Sequence, residues 1–214
     1  MHLDLRCYVV TSGSGNTTIN AAAEAARAGA GVIQVRGKDL YTAELFALTC
    51  AVADAVHTAN AQTRVVVNDR VDVALAARDA GVPVHGVHLG QDDLPVTNAR
   101  AVLGTEAIIG LSAGSLELVR QADTHREAID YLGVGPFRPT PTKDTGRQPL
   151  GLTGYPQIVA ATQLPVVAIG GISLDDVEEL TRTGIAGVAL VRAIMEAEQP
   201  GRIVREVLSR MQHA

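Results

Sequence analysis

Charged and amide side chains directly follow a short apolar segment near the start of the chain. The segment reads Gln34-Val35-Arg36-Gly37-Lys38. If the alternation of a β-strand continues through it, Gln34, Arg36 and Lys38 project to the same side. Two cations at this spacing suit a ligand group with two negative charges. A solvated pair of loop charges is the alternative.

Two acidic loops follow the next two apolar segments. They contain Asn68-Asp69-Arg70 and the segment around Asp93. Mg2+ usually takes one or two carboxylates together with water and phosphate oxygens. Asp69 and Asp93 on neighbouring strands are therefore candidates to share one Mg2+ ion. Either aspartate could instead be only the N-cap of the helix that follows it.

Hydroxyl, lysine and glycine residues follow the later apolar segments. Ser112 ends the fifth, and Ser115 is equally suited to cap the next helix. A long proline-rich loop after the sixth segment is expected to bind a ligand. Glycine-rich turns that enter helices bind phosphate through backbone N–H groups. The residues concerned are Thr140, Pro141, Thr142 and Lys143 in the long loop, and Gly170, Gly171, Val191 and Arg192 after the last two segments.

The elements that must position these residues are eight short apolar segments separated by stretches with helical periodicity. The predicted strands are 7–10, 32–35, 65–67, 86–89, 108–111, 131–134, 166–169 and 187–190. The predicted helices are 17–28, 42–60, 71–80, 97–103, 115–122, 155–161, 174–183 and 193–210. Alternating strands and helices indicate an α/β fold with parallel strands. Eight such units predict a single (β/α)8 TIM barrel over residues 1–214, with its active site at the C-terminal ends of the strands.

Composition limits the class of partner. The net charge is −5, and no long basic run occurs, which argues against binding to nucleic acid or to an anionic membrane surface. No apolar run is long enough to span a bilayer. The two cysteines form no CxxC pair, and a cytoplasmic location is expected. Only two of the 18 basic residues are lysine, Lys38 and Lys143, which suggests positions that need a compact ammonium.

Two other features of the sequence do not indicate a functional site. Gly13-Ser14-Gly15 lacks the third glycine and the later acidic residue of a dinucleotide fingerprint. His88 lies within an apolar strand and is expected to be a core residue with satisfied hydrogen bonds. No Ser/His or Cys/His nucleophile is evident. The remaining residues predict an enzyme that joins or cleaves phosphorylated small molecules through electrostatics and positioning.

These motifs, in this order, resemble the thiamine phosphate synthase family. The matching segments are 34–38, 68–72, 86–95, 133–136, 140–143 and 168–172. The resemblance implies a transferase (EC 2.5.1.3) that condenses 4-amino-2-methyl-5-(diphosphooxymethyl)pyrimidine with carboxythiazole phosphate. Pyrophosphate would leave first, giving a pyrimidine-methyl cation that the thiazole nitrogen captures before CO2 is lost.

The resemblance also implies a role for each matching residue. The pyrimidine diphosphate would be bound by Gln34, Val35, Arg36, Gly37, Lys38, Asn68, Ser112 and Lys143. Mg2+ would be held by Asp69 and Asp93. The carboxythiazole phosphate would be bound by Thr140, Pro141, Thr142, Gly171, Val191 and Arg192. The catalytic group would consist of Arg36, Lys38 and Lys143, which neutralise the departing pyrophosphate with Mg2+.

The chain departs from the family pattern at three positions. Gly114 stands where histidine is frequent, Arg192 where serine is frequent, and Ser12 where aspartate is common. Two rivals remain: a thiazole tautomerase-like barrel that binds only the thiazole phosphate, and a non-catalytic barrel that binds a phosphorylated metabolite. Neither needs the retained cations and carboxylates. A homo-oligomer is left open.

Overall fold

The protein is described by a computed structural model that covers residues 3–139 and 148–212. Its eight strands pair in parallel around a closed barrel, each with its neighbours in the chain and the last with the first. The strands are β1 Cys7–Val10, β2 Val32–Val35, β3 Arg64–Asn68, β4 Gly86–Leu89, β5 Ile108–Ser112, β6 Tyr131–Val134, β7 Val166–Ile169 and β8 Gly187–Leu190. The predicted (β/α)8 barrel is confirmed.

Helices surround the barrel and connect its strands. They are α1 Asn16–Arg27, α2 Thr42–Ala59, α3 Val71–Asp79, α4 Val96–Leu103, α5 Leu116–Asp123, α6 Gly151–Ala160, α7 Val177–Thr181, α8 Arg192–Met195 and α9 Pro200–Gln212. The prediction of one continuous helix over 193–210 is wrong, because α8 ends at Met195 and α9 begins at Pro200. Proline lacks a backbone N–H and is tolerated in the first turn of a helix but not in its interior.

Alternation along the strands divides the core into two parts. One set of side chains faces the helices, as Val9, Ile33 and Val35 do. The other set fills the barrel interior and includes Tyr8 and Tyr131. Residues of the interior set near the C-terminal strand ends therefore point toward a common opening.

The loops after β6 and β7 approach each other closely at this opening. A Cβ atom on Gly135 would lie 2.1 Å from the carbonyl oxygen of Ile169. Gly170 and Gly171 have φ angles of 97° and 69°, a left-handed conformation that favours glycine. Among the described residues, none of the helices is long and apolar enough to cross a membrane.

Candidate active site

A cavity of about 430 Å3 opens at the C-terminal ends of the strands. Nine residues predicted from the sequence to form the site line it: Gln34, Arg36, Lys38, Asn68, Asp69, Ser112, Gly171, Val191 and Arg192. Gly114 also lies in its wall. The structure thus brings these predicted residues from five of the eight strand ends to one opening.

Several predicted site residues do not line this cavity. The side chain of Val35 is fully buried in the helix-facing core, because it alternates with Gln34 along β2. Gly37 packs against Leu40, and a Cβ atom at Gly37 would lie 2.7 Å from Leu40 Cδ1. Any substrate contact of Val35 or Gly37 would therefore use the backbone. The predicted residues Thr140, Pro141, Thr142 and Lys143 lie outside the described residues.

Of the two predicted metal-binding carboxylates, Asp69 lines the cavity, and Asp93 is its neighbour without lining the cavity itself. Asp69 has a φ of 63°, and its N–H donates to the carbonyl of His88 at 2.8 Å, which ties the end of β3 to β4. Asp93 accepts a hydrogen bond of 2.6 Å from the N–H of Gly90. Burial raises the pKa of Asp93, and the neighbouring negative charge of Asp69 raises this pKa further.

The capping alternative for these aspartates is wrong. The N-cap of α3 is Arg70 and that of α4 is Pro95, so neither Asp69 nor Asp93 caps a helix. Ser115 does cap α5, where its Oγ accepts from the N–H of Leu118 at 3.2 Å. Helix capping therefore does not account for either aspartate.

This pair of carboxylates suits a hard cation. Lys38 Nζ lies 3.4 Å from Asp69 Oδ2, so one ammonium group already neutralises part of the negative charge of Asp69. No group of three or more His, Cys, Asp or Glu residues that could enclose a metal occurs within residues 3–139 and 148–212. Two carboxylates with the other positions left to water and phosphate oxygens match the preference of Mg2+.

Arg36 and Arg192 supply positive charge to the same cavity. Neither forms an ion pair with a carboxylate in the described part of the chain. The backbone N–H of Arg36 donates to Oγ1 of the fully buried Thr11 at 3.0 Å. Thr11 thus holds the residue that follows β2, a role that its place after an apolar segment did not indicate.

An ion pair stabilises the glycine turn after β7. Arg138 donates two hydrogen bonds of 2.5 Å each to the carboxylate of Asp176. The N–H and the hydroxyl of Ser173 donate to the same carboxylate at 2.8 and 2.7 Å. Burial alone would raise the pKa of Asp176, but the hydrogen bonds from Arg138 and Ser173 outweigh it and lower this pKa. A Cβ atom at Gly171 would lie 2.9 Å from Arg138 Cβ, so the two loops touch.

A chain of buried polar side chains lies at the inner end of the cavity. It links Gln34, Tyr8, Tyr131, His88 and Ser112 by hydrogen bonds of 2.6 to 3.0 Å. The expected hydrogen bonding of His88 is confirmed, but His88 also lines the cavity. His88 Nε2 also lies 3.0 Å from Ser112 Oγ, so a histidine and a serine form a pair at the cavity. Sequence spacing did not reveal this pair, because its members lie on β4 and β5 and meet only through the strand register.

Comparisons with known proteins agree with one another. A family model described as thiamine monophosphate synthase matches residues 7–194. The chain is 52% identical to the thiamine-phosphate synthase of Corynebacterium jeikeium, over 99% of this chain and 97% of that one. It is 53% identical to the thiamine-phosphate synthase of Corynebacterium efficiens, over 96% and 94%. Its structure is similar to thiamine phosphate pyrophosphorylase from Pyrococcus furiosus, with a TM-score of 0.84 and 33% identity over 99% and 97% of the two chains.

Proposed function

The chain belongs to the thiamine monophosphate synthase family and is a transferase that makes thiamine phosphate, and we propose that one cavity holds both substrates together with Mg2+. The substrates are 4-amino-2-methyl-5-(diphosphooxymethyl)pyrimidine and carboxythiazole phosphate. The observation that carries the proposal is the meeting of Asp69, Asp93 and Lys38 at the edge of the cavity.

The diphosphate is bound beside the two aspartates. Arg36 and Lys38 follow β2 and supply two cations, and Lys143 adds a third from the long loop after β6. Mg2+ held by Asp69 and Asp93 would neutralise part of the charge that develops on the leaving pyrophosphate. Electrostatic groups that are already in place when this charge appears lower the barrier most effectively.

The barrel interior receives the pyrimidine ring. Gln34 and Ser112 face the cavity and offer hydrogen bonds to the ring. Tyr8, Val10 and Val167 form an apolar wall around the ring. This wall limits access of water to the pyrimidine-methyl cation, which the thiazole nitrogen then captures. The protein's own task is to hold the two substrates in line. No protein nucleophile is required for this reaction.

The carboxythiazole phosphate is bound between the loops after β7 and β8. No hydrogen bond within the described residues uses the backbone N–H of Gly171 or Arg192, so both N–H groups remain available to a phosphate. The side chain of Arg192 lines the same part of the cavity. Val191 precedes α8, and Thr140, Pro141 and Thr142 would complete the site from the long loop.

A thiazole tautomerase-like or non-catalytic barrel would use only the phosphate half of this site. The paired carboxylates and the cations at positions 36 and 38 favour the synthase. A cytoplasmic location and assembly into a homo-oligomer stay predictions, as does the absence of a nucleic-acid partner.

The proposal is tested by incubating the protein with both phosphorylated heterocycles and measuring pyrophosphate release. We expect release that requires both substrates and that stops when EDTA removes divalent cations and resumes when Mg2+ is added in excess. Release without Mg2+ would refute the metal site. Conversion of the thiazole phosphate alone, with no release of pyrophosphate, would favour the tautomerase.

A further inference from the structure

Five polar side chains form one continuous chain of hydrogen bonds across the barrel interior. Gln34 Nε2 donates to the hydroxyl of Tyr8 at 2.8 Å, and this hydroxyl lies 2.6 Å from the hydroxyl of Tyr131. The Tyr131 hydroxyl lies 3.0 Å from His88 Nδ1, and His88 Nε2 lies 3.0 Å from Ser112 Oγ. Gln34 and Ser112, the two ends, both line the cavity.

Two strand glycines make room for the middle of this chain. A Cβ atom at Gly110 would lie 2.1 Å from Cζ of Tyr131 and 2.6 Å from His88 Nδ1. A Cβ atom at Gly133 would lie 2.9 Å from His88 Cε1. Glycine weakens a strand interior and often marks a place where another group approaches closely. The space that Tyr131 and His88 occupy is therefore built into β5 and β6.

The number of hydroxyl and amide protons determines which atom donates in each of these hydrogen bonds. Tyr8 is 2% exposed and Tyr131 is fully buried, so each hydroxyl proton needs an acceptor within the protein. Because Gln34 donates to Tyr8, the Tyr8 proton is free to go to Tyr131 and the Tyr131 proton to His88 Nδ1. A neutral imidazole that accepts at Nδ1 carries its own proton on Nε2, and this proton goes to Ser112 Oγ.

We propose that Tyr8, Tyr131 and His88 are positioning residues that set the hydrogen-bond direction at both ends of the chain. Gln34 then presents its Oε1 to the cavity as an acceptor, and Ser112 presents its hydroxyl proton as a donor. A heterocycle with an amino group toward Gln34 and an acceptor nitrogen toward Ser112 matches this pattern. This pattern adds a reason why the cavity would select the pyrimidine substrate. That the ring is this pyrimidine rests on the proposed function.

The same direction decides the role of the Ser112–His88 pair. A histidine that donates from Nε2 cannot take the Ser112 proton, so the pair does not generate a serine nucleophile. The opposite tautomer, with the proton on Nδ1, would leave Nε2 free to act as a base toward Ser112. The tautomer of His88 therefore separates a positioning chain from a nucleophilic pair.

The first test measures this tautomer in the full-length protein without substrate. Nitrogen-15 NMR of the histidine rings distinguishes the two neutral forms, and a His88→Gln variant identifies the His88 signals. We expect a neutral ring protonated on Nε2, and we expect Tyr131→Phe to leave a mixture of both tautomers because the hydroxyl donor to Nδ1 is gone. A wild-type ring protonated on Nδ1 would overturn the proposal, whatever the enzyme's activity.

The second test separates positioning from general stability. Tyr131→Phe is compared with Tyr155→Phe, because Tyr155 is also fully buried and its hydroxyl donates to the carbonyl of Val134 at 2.9 Å, outside the chain. We expect Tyr131→Phe to raise KM for the pyrimidine diphosphate about five- to tenfold, as loss of one hydrogen bond allows. KM for the thiazole phosphate should stay within about twofold in this variant. In Tyr155→Phe both KM values should stay near those of the wild type.

A background that lacks both Gln34 and Ser112 side chains completes this comparison. If Tyr131 acts through these two residues, Tyr131→Phe should raise KM for the pyrimidine diphosphate no further once Gln34→Ala and Ser112→Ala are both present. Independent effects that multiply would contradict a positioning role, as would equal KM changes in Tyr131→Phe and Tyr155→Phe. Should Tyr131→Phe fail to fold, Tyr8→Phe breaks the same chain one step away and replaces it. Absence of turnover in the wild-type protein would instead count against the proposed function and leave the tautomer result intact.

Discussion

The ammonium nitrogen of Lys38 lies 3.4 Å from Oδ2 of Asp69, and the negative charge of Asp69 helps to raise the pKa of the neighbouring carboxyl of Asp93. One cation and two carboxylates thus meet where β2, β3 and the loop after β4 end. Two neighbouring carboxylates repel each other unless a proton or a cation lies between them. The Lys38 ammonium offsets part of this repulsion, and a divalent cation would offset more.

Removing either carboxylate should impair catalysis and leave the fold intact. For Asp69→Asn and Asp93→Asn we expect turnover to fall roughly 100- to 1,000-fold, the usual effect of losing one electrostatic contact to developing charge. The Mg2+ concentration for half-maximal activity should rise as well. Pyrophosphate release across a Mg2+ series measures both quantities, and thermal unfolding checks the fold.

Asp72→Asn is the matched control for these variants. Asp72 belongs to the same end of the barrel, but its side chain is exposed and pairs with Arg70. We expect turnover and Mg2+ dependence like those of the wild type. If Asp69→Asn behaved in the same way as this control, Asp69 would not hold the metal.

Lys143→Ala should also remove most turnover. Lys143 lies outside the described residues, and its role rests on the family motif Thr140-Pro141-Thr142-Lys143. We expect a loss of roughly 100-fold or more, since its ammonium would stabilise the leaving pyrophosphate. Lys143→Arg keeps the charge in a different geometry and should recover part of the rate. Steady-state kinetics of both variants test this, and near wild-type activity of Lys143→Ala would reject the role.

The fold was predictable because the barrel strands are short apolar segments, most of them followed directly by a glycine or a polar residue. Local alternation also placed Gln34, Arg36 and Lys38 correctly on one side. The boundary between α8 and α9 was missed, because the sequence on both sides of Pro200 keeps helical periodicity. The position of Pro200 in the first turn of α9 shows that it begins a second helix.

The buried chain of hydrogen bonds could not be predicted from the sequence. Tyr8 and Tyr131 stand in apolar strands 123 positions apart and look like ordinary core residues. Their hydroxyls meet because closure of the barrel and the register of its strands bring them together. The ion pair between Arg138 and Asp176 was missed for the same reason, since it joins two loops that are separate in the sequence. The one local indication in the sequence is the presence of Gly110 and Gly133 within apolar strands, where glycine leaves room for another side chain.

Arg192 should bind the phosphate of the thiazole substrate. Arg192→Ser introduces the residue that is frequent at this position in the family. We expect KM for the thiazole phosphate to rise roughly tenfold, because a charged hydrogen bond is lost at an exposed position. KM for the pyrimidine diphosphate should change little. The control is Arg182→Ser, which removes an exposed arginine that pairs with Glu178 on α7, and unchanged KM values in both variants would exclude Arg192 from the phosphate site.

The ion pair of Arg138 with Asp176 should support both stability and phosphate binding. In Arg138→Gln the carboxylate of Asp176, which is only 8% exposed, keeps the donors of Ser173 but loses its cation. Because Arg138 itself is half-exposed, we expect the free energy of unfolding to fall by only about 1–2 kcal/mol. The segment after Gly171 loses the ion pair that joins it to the loop after β6, so KM for the thiazole phosphate should rise. Denaturant unfolding and kinetics measure the two effects, and a change in neither would show that the pair is dispensable.

Acid should destabilise the protein through His85, which lies at the opposite end of the barrel from the cavity. Burial and the neighbouring charge of Arg64 lower the pKa of His85 to about 4. In the unfolded chain the His85 imidazole binds a proton near pH 6.5. The unfolded state is therefore favoured as the pH falls from about 6.5 to about 4. This contribution to stability is complete above pH 6.5 and lost below pH 4. Because the ring is partly exposed, we expect a loss of about 1–2 kcal/mol over this range.

Denaturant unfolding at pH values from 7 to 4 measures this loss. His85→Gln should be less stable at pH 7, since it disturbs the contacts with Arg64 and the N–H of Val65, yet its stability should fall less steeply with pH. His125→Gln, which changes an exposed histidine that does not contribute to the pKa shift of His85, should retain the wild-type slope. Equal slopes in His85→Gln and the wild type would mean that other groups cause the acid sensitivity. A reduced slope in His85→Gln alone would assign the acid sensitivity to the His85 imidazole, because only a residue whose pKa differs between the folded and unfolded chain alters the slope.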